Sequence, residues 1–180
     1  MISLLENLMY EVSNTFLAPI LILIVLLFIY SIFEIGVFFT QWFKRKKSEK
    51  NYKEFLKNEQ FEFIKGYAIV NYLVNSGFNS LEDLEVHAYK KLQNTSIITR
   101  VAPMLGLVAT MIPMGPALKA LSSGNVQGIS ENLIIAFAAV IFALITASIT
   151  YWITTVRKGW YAHEIKDILH LNKVANEIVT

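Results

Sequence analysis

The sequence contains no cysteine, and its charged residues, 17% of the chain, are scarce within three long apolar stretches. Without cysteine the chain can form neither disulfides nor thiolate metal sites. A formal net charge of only +2 argues against nucleic acid as a partner, which would require a concentrated basic surface. Hydrophobic residues, by contrast, make up 54% of the chain, more than the core of a soluble domain of this size needs. The composition therefore predicts a membrane protein.

Each apolar stretch is long enough to cross a bilayer as a helix, which takes about 20 residues. The predicted spans are residues 15–43, 97–121 and 131–156. Pro113 and Pro116 predict a kink in the second span. Glu34 is costly in hydrocarbon, so we expect it to pair with another residue in the inner leaflet, with a role at a subunit boundary as the alternative.

Basic residues predict the orientation, because short loops rich in Lys and Arg remain in the cytoplasm. The run 44–47 follows the first span, and Arg157 and Lys158 follow the third. These positions predict a multi-pass protein of the cytoplasmic (inner) membrane, with the N-terminus outside and the C-terminus in the cytoplasm. The segments between and beyond the spans are an extracytoplasmic amphipathic segment (1–14), a cytoplasmic helical region (44–96), a short extracytoplasmic loop (122–130) and a cytoplasmic C-terminal helix (157–180).

The cytoplasmic region is expected to be helical. Apolar residues from Tyr52 to Leu73 recur at the spacing of an amphipathic helix, and residues 77–80 then interrupt the pattern. Ser80, with Asp83 three residues later, is typical of a helix start, and this second helix should continue into the membrane. The predicted fold is therefore an all-α membrane protein with three transmembrane helices and long cytoplasmic helical extensions.

Small and hydroxylated residues form one stripe on each of the last two spans, at alternating steps of four and three that place them on one helix face. The stripes comprise Thr99, Pro103, Gly106, Thr110, Pro113 and Ala117, and Ala136, Ala139, Ala143, Ala147, Thr150 and Thr154. Such stripes, taken alone, favour close packing of membrane helices. The functional alternative is the wall of a pore, for which Thr110 is the best single candidate because it lies deep in its span.

Ionisable side chains are missing from both of these spans. Ion transfer through a membrane normally needs such a group facing the bundle interior. Residues 101–118 and 133–156 contain no carboxylate, histidine or lysine. If ions pass here, the titrating group must belong to another polypeptide. Glu131, at the outer end of the third span, serves either for capping and surface solvation, since a carboxylate is favoured near a helix N-terminus, or for gathering ions.

Other candidate sites are weak. His163, Asp167 and His170 share a helix face at a spacing that could hold a metal, but no further ligand converges on them, so a solvated face is favoured and no metal site is expected. We find no nucleophile beside a base and no glycine-rich phosphate loop. The sequence therefore predicts neither enzymatic activity nor a cofactor.

Two segments of the chain resemble a known family. Residues 102–110, APMLGLVAT, are similar to the motif A-P-L-L-G-L-x-G-T that opens the second helix of ExbB and TolQ proteins, and residues 128–133, GISENL, resemble the G-I-x-E-A-L of their third helix. The resemblance is to the MotA/TolQ/ExbB proton channel family, closest to its ExbB/TolQ-type subunits. Thr110 matches the pore threonine of that family, and Glu131 matches its mouth glutamate.

The resemblance implies a homopentameric ring in the membrane lipid around a dimeric partner of the ExbD or TolR kind. This single-span partner would supply the ion-binding aspartate, and flow of H⁺ or Na⁺ would drive mechanical work for envelope transport or maintenance. Ala136 lies where the third-helix threonine of ExbB and TolQ falls, so Thr146 or Thr150 would have to supply that hydroxyl. The expected pore-lining residues are Thr110, Gly106, Pro103, Ala136, Ala143, Ala147, Thr146, Thr150 and Glu131.

Two alternatives remain. A flagellar stator subunit of the MotA kind usually carries a fourth membrane helix and a larger cytoplasmic domain, so it matches less well. A structural membrane scaffold that docks soluble proteins without conducting ions is the alternative from a different class.

Overall fold

The computed structural model describes residues 2–58, 63–76 and 80–179, and these residues are almost entirely helical. The five helices are α1 (Ile2–Lys47), α2 (Glu49–Asn58), α3 (Ala68–Ser76), α4 (Leu81–Ser122) and α5 (Val126–Val179). No strand occurs among the described residues. Three of the helices, α1, α4 and α5, are long and apolar enough to cross a membrane. The predicted all-α fold with three spanning helices is confirmed.

Local side-chain chemistry sets the ends of α4 and α5. The Asp83 N–H donates to the Ser80 hydroxyl at 3.1 Å, the N-cap that the sequence predicted. The turn that follows α4 contains Gly124 in a left-handed conformation (φ 71°), which glycine adopts without a Cβ penalty. Asn125 then caps α5, because its Oδ1 accepts the Gly128 N–H at 3.0 Å. Residues 126–130, which the sequence placed in the loop, are helical.

The prediction of one amphipathic helix from Tyr52 to Leu73 was wrong. Helix α2 ends at Asn58, α3 begins only at Ala68, and the described residues between them are non-helical. Gly66 has a φ of 97°, and a Cβ built on it would lie 2.9 Å from the Arg45 backbone nitrogen. Only glycine tolerates both conditions, so the chain turns here and starts a new helix. The predicted break at 77–79 lies outside the described residues.

The chain divides into two compact units, which we describe separately. Unit 1 comprises Met1–Phe33 and Ile97–Tyr151. Its three long helix segments meet in a small core in which most of the side chains are no larger than a methyl group. The core residues are Ile24, Ala109, Ala139 and Ala143, with Ile20, Leu21 and Leu105 packed against them. Small residues let helix backbones approach closely, which is the usual source of cohesion between helices in lipid.

Unit 2 comprises Glu34–Ser96 and Trp152–Thr180. It contains the end of α1, the start of α4, the end of α5, and both short helices. Its core is larger and partly aromatic: Phe55, Ile64, Tyr67, Ile69, Val70, Leu73, Leu84, Ala88, Tyr161 and Ile168. This unit holds the helical region that the sequence placed outside the bilayer.

Candidate ion pathway

Helices α4 and α5 pack closely in unit 1 because the residues at their contact have little or no side chain. A Cβ added to Gly106 would lie 2.7 Å from the Ala143 Cβ, closer than real methyl groups approach. Ala109 and Ala139 are also fully or almost fully buried in the same core. Any larger side chain at Gly106 would push the two helices apart.

The buried hydroxyls of Thr146 and Thr150 on α5 are already satisfied inside unit 1. Thr146 donates to the Phe142 carbonyl at 2.8 Å, and Thr150 donates to the Thr146 carbonyl at 2.9 Å. Thr99 of α4 in turn donates to the Thr150 hydroxyl at 2.9 Å, which links the two helices. Backbone acceptors of this kind let a threonine enter a membrane helix without water. These hydroxyls therefore serve helix packing within one chain.

The predicted pore-lining residues fall into two groups. Those that are buried within the single chain are Gly106, Ala136, Ala143, Ala147, Thr146 and Thr150. Pro103 and Thr110 are half-buried, and Glu131 is exposed. Close packing accounts for the burial of the first group. A role in an ion pathway stays a prediction, and it is better suited to Thr110, Pro103 and Glu131, which remain accessible from outside the chain.

Thr110 lies at the edge of the packed face of α4. Its hydroxyl donates to the Leu107 carbonyl at 2.7 Å, one turn back along the same helix. The hydroxyl hydrogen is thus used, while the oxygen lone pairs can still accept from a proton donor or contact a cation. Leu107 itself is 60% exposed, so the hydroxyl borders an accessible apolar surface.

The prolines of α4 add acceptors beside Thr110 that the sequence analysis did not consider. A helical proline has no N–H for the carbonyl four residues before it. Pro113 and Pro116 therefore leave the carbonyls of Ala109 and Ile112 without their usual helical donor. Ala109 is fully buried, whereas Ile112, like Thr110, is half-buried, so one backbone oxygen and one hydroxyl oxygen lie at the accessible edge within about one turn of α4. The positions of Pro113 and Pro116 in the sequence could have indicated these acceptors.

Glu131 is exposed in the second turn of α5 and does not cap the helix. Asn125 occupies the cap, and the Glu131 carboxylate instead accepts from Gln127 Nε2 at 2.9 Å. The capping role allowed for Glu131 is therefore wrong, whereas its exposed carboxylate agrees with the surface solvation that was allowed with it. Its carboxylate remains available at the surface, at the end of α5 nearest the turn.

Glu34 in unit 2 is paired, as the sequence predicted. Its carboxylate forms a buried ion pair with the Arg157 guanidinium, and both side chains are less than 10% exposed. Removal of one partner from such a pair strands a charge at a high cost, whereas the intact pair is neutral. Arg157, which the sequence used only as an orientation signal, is thus the neutralising partner of the one carboxylate inside the first predicted span.

A second buried ion pair organises the rest of unit 2. Glu164 pairs with Arg45, and its other carboxylate oxygen accepts the N–H groups of Ile69 at 2.9 Å and Val70 at 3.4 Å. These N–H groups belong to the first turn of α3, where a negative charge is favoured. The Arg45 guanidinium also lies 4.1 Å from the centre of the Tyr67 ring. One carboxylate on α5 therefore fixes the ends of two other helices.

The Asp167 carboxylate on α5 accepts a hydrogen bond from α2. The Tyr52 hydroxyl donates to its carboxylate at 2.7 Å, and burial, followed by this hydrogen bond, raises the pKa of Tyr52. No group of three or more His, Asp or Glu side chains that could hold a metal occurs among the described residues. The α5 face that carries His163, Asp167 and His170 thus contributes a hydrogen bond to α2.

Comparison with known proteins identifies one family. The model of the MotA/TolQ/ExbB proton channel family matches residues 73–169, more than half of the chain. No curated protein and no solved structure matches. The matched region contains both faces of the α4–α5 contact, the Thr110 turn and Glu131. The chain therefore belongs to the MotA/TolQ/ExbB proton channel family.

Proposed function

We propose that this protein is the ring subunit of an ion-driven membrane motor of the ExbB/TolQ kind. Family membership gives the general function of an ion-channel-like motor subunit. In the proposal, five copies enclose the transmembrane helices of a dimeric, single-span partner of the ExbD or TolR kind. The partner supplies the aspartate that binds and releases H⁺ or Na⁺, and ion flow is coupled to mechanical work in the envelope.

The observation that carries this proposal is a polar but non-titrating surface. Residues 101–118 and 133–156 contain no ionisable carboxylate, imidazole or amine, and the one carboxylate in the first span is neutralised by Arg157. The Thr110 hydroxyl, in contrast, lies at an accessible edge. A surface that offers oxygen acceptors and no exchangeable charge suits a carrier group brought by another helix.

The Thr110 turn has the chemistry of a relay point. The Ile112 carbonyl and the Thr110 oxygen, both on half-buried residues, can accept hydrogen bonds from water or coordinate Na⁺, since hard cations prefer oxygen ligands. Neither of these oxygens binds a proton permanently near neutral pH. In the proposal they receive the ion from the partner's aspartate and hand it on, which keeps the proton-binding step on the partner.

Two further features support the ExbB/TolQ subtype and the orientation. The motif at residues 102–110 resembles that of ExbB and TolQ proteins, and a flagellar stator subunit, which usually carries a fourth membrane helix, is the less favoured alternative. The basic residues 44–47, at the end of the first span, favour a cytoplasmic location for that end. The proposed location is the cytoplasmic membrane, with the N-terminus outside.

The test is ion uptake into proteoliposomes that contain the full chain and a single-span partner with a membrane aspartate. Thr110→Val should abolish uptake while leaving assembly intact, because valine has the shape of threonine and the lost hydroxyl bonds only to its own helix. Thr110→Ser should retain most of the uptake. Native mass spectrometry of the same preparations should show five copies of this chain.

Thr40→Val is the matched control. Thr40 is exposed on α1, and its hydroxyl bonds to the Gly36 carbonyl of its own helix at 2.9 Å, so the same atoms are lost at a different surface. It should leave uptake unchanged. Normal uptake by Thr110→Val, or a monomer in mild detergent, would refute the proposal and favour the alternative of a non-conducting scaffold that docks soluble proteins.

A further inference from the structure

A small cleft lies beside the basic end of α1, in unit 2. It has a volume of about 230 Å³ and is lined by Trp42, Arg45, Lys46, Glu49, Tyr67 and Trp160. Two tryptophans, a tyrosine and two cations thus border one cavity. This combination of aromatic rings and positive charge is typical of the membrane–water boundary, where phospholipid headgroups are bound.

Among the described residues, the ion pairs around the cleft include Arg45 and Glu49 but not Lys46. Arg45 pairs with Glu164, and Glu49 pairs with Lys53 at 2.6 Å. Among the described residues, the Lys46 ammonium forms no ion pair; it lies 5.9 Å from the centre of the Trp42 ring. The cleft therefore presents a net charge of about +1, which suits a ligand with a single negative charge.

The position of the cleft favours a lipid as the source of that charge. Three of its lining residues, Trp42, Arg45 and Lys46, belong to the last part of the apolar helix segment Glu11–Lys47, which is long enough to cross a bilayer. Exposed apolar side chains continue from the cleft along α1: Trp42, Phe43 and Phe39 are 41%, 62% and 42% exposed. An acyl chain can follow these side chains while the headgroup stays beside Lys46.

We propose that this cleft binds the phosphodiester headgroup of an anionic phospholipid. The Lys46 ammonium contacts the phosphate, the unpaired edge of the Arg45 guanidinium adds further N–H donors, and the Trp42 ring packs on the glycerol and upper acyl carbons. The site requires neither the partner nor ion flow, so it is independent of the proposed motor function.

The test uses the full chain in nanodiscs of phosphatidylcholine with a minor fraction of phosphatidylglycerol, and native mass spectrometry counts the phosphatidylglycerol that each variant retains. Lys46→Gln should reduce retention about fivefold, the effect of one lysine near an anionic headgroup. Lys47→Gln is the matched control, because Lys47 is exposed in the same basic run but does not line the cleft. It should change retention less than twofold. Lys46 is itself exposed, so neither variant threatens the fold.

Three results would overturn the proposal. Equal losses for Lys46→Gln and Lys47→Gln would indicate general attraction of the basic run to the membrane. Equal retention of phosphatidylcholine and phosphatidylglycerol by the wild-type chain would remove the requirement for a net negative charge. Displacement of phosphatidylglycerol by millimolar inorganic phosphate would make a soluble anion the ligand. Retention that survives phosphate and falls for Lys46→Gln but not for Lys47→Gln supports the site.

Discussion

The two units of the chain are stabilised by different kinds of contact. Unit 1 packs glycine and alanine against each other, and its buried threonines bond to backbone carbonyls. Unit 2 packs large aromatic side chains, and every ion pair among the described residues joins two residues of this unit. In lipid, helix association brings no hydrophobic gain. The close fit of small side chains therefore contributes most of the stability. Where water is close, apolar burial and paired charges can both contribute.

We expect the largest effect from breaking the buried ion pair between Glu164 and Arg45 in unit 2. Glu164→Ala would leave the Arg45 guanidinium and the Ile69 and Val70 N–H groups without their acceptor. We expect a loss of about 5 kcal/mol in the free energy of unfolding, at the upper end for a broken buried pair. Denaturant titration in detergent, followed by circular dichroism, measures it. Glu49→Ala removes a carboxylate from an exposed pair and should leave the midpoint unchanged; equal effects of the two variants would contradict the assignment.

The pair between Glu34 and Arg157 should show the second largest effect. Arg157→Leu strands a buried carboxylate and should cost about 3 kcal/mol in the same titration. The double variant Glu34→Leu with Arg157→Leu removes both charges, so it should recover most of the lost stability. A double variant as unstable as the single one would show that the loss comes from packing and not from the unpaired charge.

Gly106→Ala tests the close contact in unit 1. The new methyl group would collide with Ala143, so we expect a loss of about 1–3 kcal/mol, the usual cost of overpacking. Ala143→Gly in the same chain should restore stability by making room. Gly36→Ala is the control: its Cβ would meet nothing within 4 Å, and the substitution should stabilise α1 by up to about 1 kcal/mol. Equal losses of stability from Gly106→Ala and Gly36→Ala would mean that the close contact with Ala143 does not determine the stability of unit 1.

The smallest effect concerns the hydrogen bond from Thr99 to Thr150. Thr150→Val should cost only about 0.6 kcal/mol, the average for side-chain hydrogen bonds between membrane helices. The same denaturant titration checks this value. Ser148→Ala, at an exposed position whose hydroxyl bonds only within α5, should change stability less. A loss at Thr150 as large as that at Glu164 would erase the distinction between the two units.

Local features of the fold were predictable from the sequence, and contacts between distant residues were not. The helix start at Ser80 depends on the chemistry of a few neighbouring residues, and the structure confirms it. The pairs joining Glu34 to Arg157 and Arg45 to Glu164 link residues 123 and 119 positions apart, and no local pattern indicates which residues meet. For Glu34 the need for a partner was predictable, but its identity was not.

The break between α2 and α3 shows how a periodic pattern can mislead. Apolar spacing from Tyr52 to Leu73 fits a helix on both sides of the break, so periodicity alone predicted one helix. Gly66 was the available signal, because an isolated glycine in such a pattern often marks a turn. What requires glycine there is the close passage of the Arg45 backbone, which only the folded chain reveals.

The candidate site was predictable in a similar way. The stripes of small residues identified the helix faces that pack, but not whether the facing surface belonged to the same chain. Gly106 against Ala143 answers this for one pair: the neighbour is within the chain. Thr110 could be singled out by its depth in the span, whereas the carbonyls that Pro113 and Pro116 leave without a helical donor are recognised from the backbone and not from side chains.

The pairing of Glu34 with Arg157 has a consequence for biogenesis. The two residues are 123 positions apart, and at the usual rate of translation the ribosome needs on the order of 10 s to make the intervening chain. During that interval the newly inserted first helix carries an uncompensated acid. The first helix can therefore reach its final, charge-paired position only after α5, which carries Arg157, has been made.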